Sequence, residues 1–80
     1  MDFSQDELKM VRFFVEREGD GILASIREID FITEGIIDSL DMISLAVFIE
    51  KNFGKKLDLT DKNILKAVSR FDSLMSLIGQ

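Results

Sequence analysis

The fold of this chain is decided by residues 35–54, GIIDSLDMISLAVFIEKNFG. Asp38 or Ser39 can serve as the N-cap of a helix, because short polar side chains accept the free backbone N–H groups of a first turn. The predicted helix runs to about Phe53, and Gly54 ends it. One face of it is apolar and is predicted to lie in the core: Leu45, Phe48, Ile49 and Phe53.

A first helix is predicted upstream, at about residues 4–18. Ser4 and Glu7 have the spacing of a capping box, and Phe3 and Leu8 have the spacing of a hydrophobic staple. Gly19 and Gly21 end this helix, whose predicted apolar stripe is Leu8, Val11, Phe14 and Val15.

The segment between these two helices, residues 19–38, has no sustained period. It holds eight large apolar residues, which argue against disorder. We expect a long loop held to the core by these side chains, with a short helical turn near residues 22–28. A loop this long in a small domain is usually functional.

Two further helices are predicted after Leu57. Thr60 is a suitable N-cap for a short third helix at roughly 61–66, which turns Ile64 and Leu65 inward. Ser69 or Arg70 opens a last helix at about 70–78. Its predicted apolar stripe is Phe71, Leu74, Met75 and Ile78. The prediction is an all-α, small four-helix bundle with three main helices, one short helix and a long first loop, forming one domain over residues 1–80.

The amino-acid composition excludes several kinds of catalytic and metal site. The 80 residues include no histidine and no cysteine, and the net charge is −5. The commonest general base, thiolate nucleophiles and the usual zinc ligands are therefore absent. Asp58, Thr60 and Asp61 resemble part of a calcium loop, but the rest of an EF-hand pattern is missing, so no metal site is predicted.

Charge and hydropathy also restrict the partners and the location. Acids outnumber bases 15 to 10, which argues against nucleic acid as a partner. No apolar run approaches the ~18 residues of a membrane span. The first residues soon become charged, unlike a secretory signal, so we expect a cytoplasmic protein.

Ser39 is the candidate functional residue. It lies between Asp38 and Asp41, at the start of a helix and the end of a long loop, where its hydroxyl should be exposed. A serine nucleophile needs a neighbouring base, and the chain has no histidine to provide one. If Ser39 takes part in chemistry, it must therefore be modified by another enzyme, and we expect the chain itself not to be an enzyme.

The stretch Gly35-Ile36-Ile37-Asp38-Ser39-Leu40 resembles the attachment motif of acyl carrier proteins and of peptidyl and aminoacyl carrier domains. The resemblance extends to the helix order and length, to the turn at residues 53–57 and to residues 71–74. It implies that Ser39 receives 4′-phosphopantetheine from coenzyme A through a phosphopantetheinyl transferase, which reads Asp38 and Leu40. The arm would carry acyl or aminoacyl groups as thioesters between enzymes of fatty-acid, polyketide or related biosynthesis.

The resemblance also implies a docking surface on the second helix of a monomeric carrier. The expected docking residues for acyl or aminoacyl ligases, synthases and transferases are Asp38, Asp41, Ile43, Val47 and Glu50. This helix is less acidic than in fatty-acid carriers, and residues 51–66 hold five lysines against two aspartates. We therefore expect a specialised carrier with its own partners.

Two alternatives stay open from the sequence. Ser39 could be only an N-cap, in a small helical protein-interaction module without a prosthetic group. Met42, Ile43 and Val47 could belong to the core rather than to a docking surface, and the lysines at 51–66 could form either a solvated face or a partner-specific patch.

Overall fold

Capping chemistry fixes the first helix, α1, at Gln5–Glu18. The computed structural model describes residues 3–79. The Ser4 hydroxyl accepts the backbone N–H of Glu7 at 3.1 Å, and the Glu7 carboxylate accepts the Ser4 N–H at 2.8 Å. The predicted capping box is confirmed, and Gly19 ends the helix as expected.

The second helix, α2, spans Ser39–Phe53, close to the predicted limits. Of its two candidate caps, Asp38 takes the role. Gly54 ends the helix with a φ of 69°, in the left-handed region that glycine adopts without a steric penalty.

The remaining elements are short. A 3-10 helix lies at Asp20–Ala24, somewhat earlier than the helical turn predicted near 22–28. Helix α3 spans Lys62–Ala67, and α4 spans Phe71–Ile78. The described residues thus form four α-helices and no strand, which confirms the predicted all-α bundle with its long first loop. None of these helices is long and apolar enough to cross a membrane.

The cap of α3 differs from the prediction. Asp61, not Thr60, is the N-cap, and its carboxylate accepts the backbone N–H of Asn63 at 2.8 Å. Thr60 instead donates both its backbone N–H and its hydroxyl to the Asp58 carboxylate. Thr60 therefore belongs to the turn before the helix.

The core is one cluster to which α1, α2, α4 and the first loop all contribute. The prediction that Leu8 faces the core is wrong, since Leu8 is 51% exposed. The Phe3 ring lies edge-on to Phe71, with centroids 5.9 Å apart, so it packs toward α4. The buried residues are Met10, Val11, Phe13, Phe14, Ile22, Ile26, Phe31, Ile37, Leu45, Ile49, Val68, Phe71 and Leu74.

The predicted core residues of α2 fall into two groups. Leu45 and Ile49 are fully buried, whereas Phe48 and Phe53 are half-buried and pack against the cluster from its edge. Their rings lie 6.4 Å apart, and Phe48 also contacts Phe13 of α1 at 5.2 Å. Ile64, Leu65, Met75 and Ile78 are likewise half-buried.

The long first loop is held by Phe31. Its ring is buried and stacks on Phe14 with centroids 4.3 Å apart. Its backbone N–H donates to the carbonyl of Ser69 at 2.7 Å, and its carbonyl accepts the N–H groups of Ile36 and Ile37. The loop is therefore attached to the core as predicted, although Ile32, one of its eight apolar residues, is exposed.

Arg27 connects the first loop to the first and last helices. Its guanidinium contacts the carboxylates of Glu7 at 2.9 Å and Asp72 at 3.1 Å, and it lies over the rings of Phe3 and Phe71. The backbone N–H of Ser4, together with Arg27, holds the pKa of Glu7 below its ordinary value. One side chain thus links the loop, the start of α1 and the start of α4.

Candidate functional site

Ser39 is the first residue of α2, and its side chain is exposed. Asp38 holds the cap position instead, since its carboxylate accepts the N–H of Asp41 at 2.8 Å. No group among residues 3–79 forms a hydrogen bond with the Ser39 hydroxyl. The hydroxyl therefore takes no part in capping α2 and is left exposed at the start of the helix.

Asp41 completes a reciprocal capping pair with Asp38. Its carboxylate accepts the Asp38 N–H at 3.2 Å and lies 3.5 Å from the guanidinium of Arg17 on α1. These contacts fix the backbone on both sides of Ser39. They also direct the Asp41 carboxylate toward α1, so it is less available to a partner than the sequence suggested.

Gly35 shapes the turn that leads into this cap. Its φ is 73°, a left-handed conformation that strains residues with a side chain, and the space around it is open. The backbone conformation, rather than close packing, therefore explains a glycine at this position.

A groove of about 610 Å³ lies beside Ser39. Gly35, Asp38 and Ser39 line it together with apolar side chains from the first loop, α2, the 57–61 turn and α3: Ile32, Ile37, Met42, Ile43, Leu59 and Leu65. The sequence could not reveal this groove, because its walls come from four separate segments and, of its apolar lining residues, only Ile43 had been assigned to a site.

Two of the expected docking residues of α2, Ile43 and Val47, lie on one exposed surface together with Leu40. Leu40, Ile43 and Val47 are 75%, 56% and 58% exposed, and their spacing places them on one helix face. Glu50 is exposed on the same helix, 3.9 Å from Lys56, whereas Met42 is half-buried. Of the two readings left open, Ile43 and Val47 therefore belong to the surface and not to the core.

The described residues hold no group of three or more carboxylate, histidine or cysteine side chains that could bind a metal. Comparison of the chain with protein-family models, with curated proteins and with solved structures found no match. The carrier resemblance therefore rests on the motif and on the other sequence features given above, and the geometry of Ser39 and its groove is separate information about the site.

The Asp38 carboxylate that caps α2 should make the stability of the fold depend on pH in the acid range. The backbone N–H of Asp41 donates to Asp38 and holds the pKa of Asp38 below its ordinary value. A lowered pKa in the folded state stabilises the fold above the unfolded-state value, and this contribution is lost as the pH falls through the folded-state pKa. Asparagine caps nearly as well as aspartate, so Asp38→Asn should leave neutral stability close to wild type and make its loss below about pH 4 shallower.

Chemical unfolding of both proteins across the acid range measures this difference. Glu16→Gln changes an exposed acid of α1 that has no ion pair or hydrogen bond within residues 3–79, and it should leave the acid dependence in place. An Asp38→Asn protein that loses stability as steeply as wild type would show that the cap does not act through this carboxylate.

Proposed function

We propose that this protein is a carrier of acyl or aminoacyl groups, held as thioesters on a 4′-phosphopantetheine arm attached to Ser39. The observation that carries the proposal is the free, exposed Ser39 hydroxyl at the start of α2, with Asp38 in the capping role. The apolar groove beside Ser39 gives the carried chain a place to be sheltered from water.

The attachment reaction uses only the Ser39 hydroxyl from this chain. Its Oγ forms a bond to the phosphorus that bears the pantetheine half of coenzyme A, and the bond from that phosphorus to the bridging oxygen breaks. The nucleotide half leaves as a bisphosphate, and a base of the transferase takes the hydroxyl proton, since the chain has no histidine. Once attached, the arm supplies the thiol that forms the thioester.

The residues around Ser39 fit such a group. A phosphodiester on the first residue of a 15-residue helix lies at the positive end of the helix dipole. The hydrogen bond from the Asp41 N–H lowers the pKa of Asp38, and it holds the Asp38 carboxylate against the backbone of α2. The groove lining is mainly apolar, which suits a hydrocarbon chain better than a polar ligand.

The partners would dock on the exposed face of α2. Leu40, Ile43 and Val47 supply an apolar centre, with Asp38 and Glu50 as charged neighbours. We propose a phosphopantetheinyl transferase and acyl or aminoacyl ligases, synthases or transferases as partners of a monomeric carrier. With so few free acids on this face, the carrier is a specialised one. We propose the cytoplasm as the place of this reaction, in keeping with the location expected from the sequence.

Intact-mass measurement tests the proposal directly. The protein is incubated with coenzyme A, Mg²⁺ and a broad-specificity phosphopantetheinyl transferase, and one phosphopantetheine mass should be gained. A known carrier protein, treated in the same way, is the positive control. The proposal is wrong if this protein is folded and gains no mass while the control does.

The same exposed face also favours a second candidate, a helical interaction module without a prosthetic group. Such a module would use Leu40, Ile43 and Val47 to bind a partner, and it would not depend on the Ser39 hydroxyl. A protein that binds a partner equally well with and without Ser39, and that gains no mass, would favour this second function.

Val47→Glu tests the docking face without touching the groove. Val47 is exposed and does not line the groove, so the fold should be kept. A charge in the apolar centre of an interface should reduce kcat/KM for phosphopantetheine transfer by about tenfold, which corresponds to about 1.4 kcal/mol. The rate is followed by intact mass at limiting carrier concentration.

Leu8→Glu is the matched control, because it makes the same change at a half-exposed apolar residue of α1. It should transfer within about twofold of wild type, since surface changes away from an interface have small effects. Equal losses in both variants would show that α2 is not the docking face.

A further inference from the structure

The lysines of residues 51–66 are not all alike in the structure. Lys62 and Lys66 lie one turn apart on the same face of α3. Both line a second hollow of about 320 Å³, together with Thr33 of the first loop and Ser69.

This hollow adjoins the groove at Ser39. Ile32 and Leu65 line both of them. The two hollows therefore meet at these two side chains, and we call them together the path: it is apolar beside Ser39 and bordered by two lysines at the other end.

The far end of this path has an unbalanced positive charge. Neither Lys62 nor Lys66 forms an ion pair or a side-chain hydrogen bond within residues 3–79. Asp30 is the one acid among the lining residues, and its carboxylate accepts the backbone N–H groups of Ile32 at 3.0 Å and Thr33 at 2.9 Å. The hydrogen bond from the backbone N–H of Thr33 is the main cause that lowers the pKa of Asp30, and the positive charge of Arg70 lowers it further.

We propose that this path holds an acyl group whose far end is a carboxylate, with that carboxylate between Lys62 and Lys66. The attachment of the group to Ser39 rests on the proposed function. A hydrocarbon chain matches the apolar groove, and a terminal anion matches the two lysines beyond Leu65, whereas a chain with an apolar end would bring a methyl group to charged side chains. The carried substrate class is thus the monothioester of a dicarboxylic acid.

The test replaces the prosthetic arm by a direct tether. The chain has no cysteine, so Ser39→Cys introduces a single thiol at the exposed start of α2. Alkyl thiosulfonates then form mixed disulfides with it: the thiolate attacks the reagent's sulfenyl sulfur, its S–S bond breaks, a sulfinate leaves and the thiol proton goes to buffer. Matched series of ω-carboxyalkyl and plain alkyl reagents of increasing length provide the tethered chains.

The readout is the pKa of the tethered carboxyl, measured by NMR with a ¹³C label at that carbon. At the chain length that reaches the lysines, this pKa should fall by about one relative to the same disulfide on free cysteine, a tenfold larger acid dissociation constant. The backbone amide signals of Thr33, Lys62 and Lys66 should shift in the same samples, and less so with the plain alkyl chain.

Lys62→Gln combined with Lys66→Gln should return the carboxyl pKa to that of the free-cysteine disulfide. Lys51→Gln combined with Lys55→Gln removes the same charge from lysines that line neither hollow, and it should keep the lowered pKa. The inference is overturned if the pKa is unchanged at every chain length, or if both double variants restore it equally. Because no transferase is used, failure of Ser39 to accept phosphopantetheine is a separate result.

Discussion

Ser39→Ala is expected to abolish the gain of a phosphopantetheine mass completely. The substitution removes the attacking oxygen, and no partial activity can remain at that position. The hydroxyl is exposed and has no hydrogen-bond partner within residues 3–79, so the free energy of unfolding should change by less than about 0.5 kcal/mol. Intact mass and thermal unfolding of the same sample measure the two effects together.

Ser44→Ala is the control for this variant. Ser44 is another exposed serine of α2, and its loss should leave the mass gain at the wild-type level. A mass gain that persists in Ser39→Ala would place the modification elsewhere. A large loss of stability in that variant would show that the Ser39 hydroxyl has a structural role after all.

Asp38 caps α2, whereas Ser39 is the proposed attachment site. The loss of modification and the change in stability can therefore be independent of each other. Asp38 and Asp41 satisfy each other's backbone N–H groups and hold the start of α2. A charge reversal at either residue would therefore disturb the helix end as well as any partner that reads the charge. Val47→Glu is the cleaner test of docking, because Val47 has no such structural contact to lose.

The helix ends were predictable where local chemistry determines them. The Ser4–Glu7 box and the glycine at 54 depend on residues only a few positions apart, and so does the α2 cap, which the sequence narrowed to Asp38 or Ser39. The start of α3 was misplaced by one residue, since Thr60 and Asp61 are both suitable caps. The choice between them depends on the turn in which the Asp58 carboxylate binds Thr60.

The facing of α1 was harder to predict, because this helix is apolar on more than one side. Val11 and Phe14 lie in the core as predicted, but Met10 and Phe13 complete the buried face in place of Leu8. Which apolar stripe is buried depends on the elements that pack against the helix. The spacing of apolar residues within one helix does not show where those elements lie.

The groove could not be predicted from the sequence for a similar reason. Ser39 and Ile43 are visible in the motif and the helix that follows it, but Ile32, Leu59 and Leu65 reach the same site only through the tertiary fold. The two lysines that border its extension resembled a solvated surface in the sequence. Their positions beside Ile32 and Leu65 distinguish them from the other three.

The wall of the groove formed by the first loop depends on a single buried ring, that of Phe31. Phe31→Ala is expected to lower the free energy of unfolding by about 3–5 kcal/mol, because it leaves a cavity against Phe14 and removes a stacked pair. This is a large part of the roughly 5–15 kcal/mol that stabilises a small protein. Chemical unfolding followed by circular dichroism measures the loss.

Two further variants serve as controls. Phe31→Leu tests the effect of buried volume at the same position, and Ile32→Ala tests a truncation at the adjacent position of the loop. Leucine keeps most of the buried volume and should cost less than Phe31→Ala, so this variant still reports if the alanine variant does not fold. Ile32 is adjacent but 44% exposed, and its truncation should cost less than about 1 kcal/mol. If Phe31→Ala cost no more than Ile32→Ala, the loop could not be held by this ring. The wall of the groove that carries Ile32, Gly35 and Ile37 would then depend on the backbone bond from Phe31 to Ser69 instead.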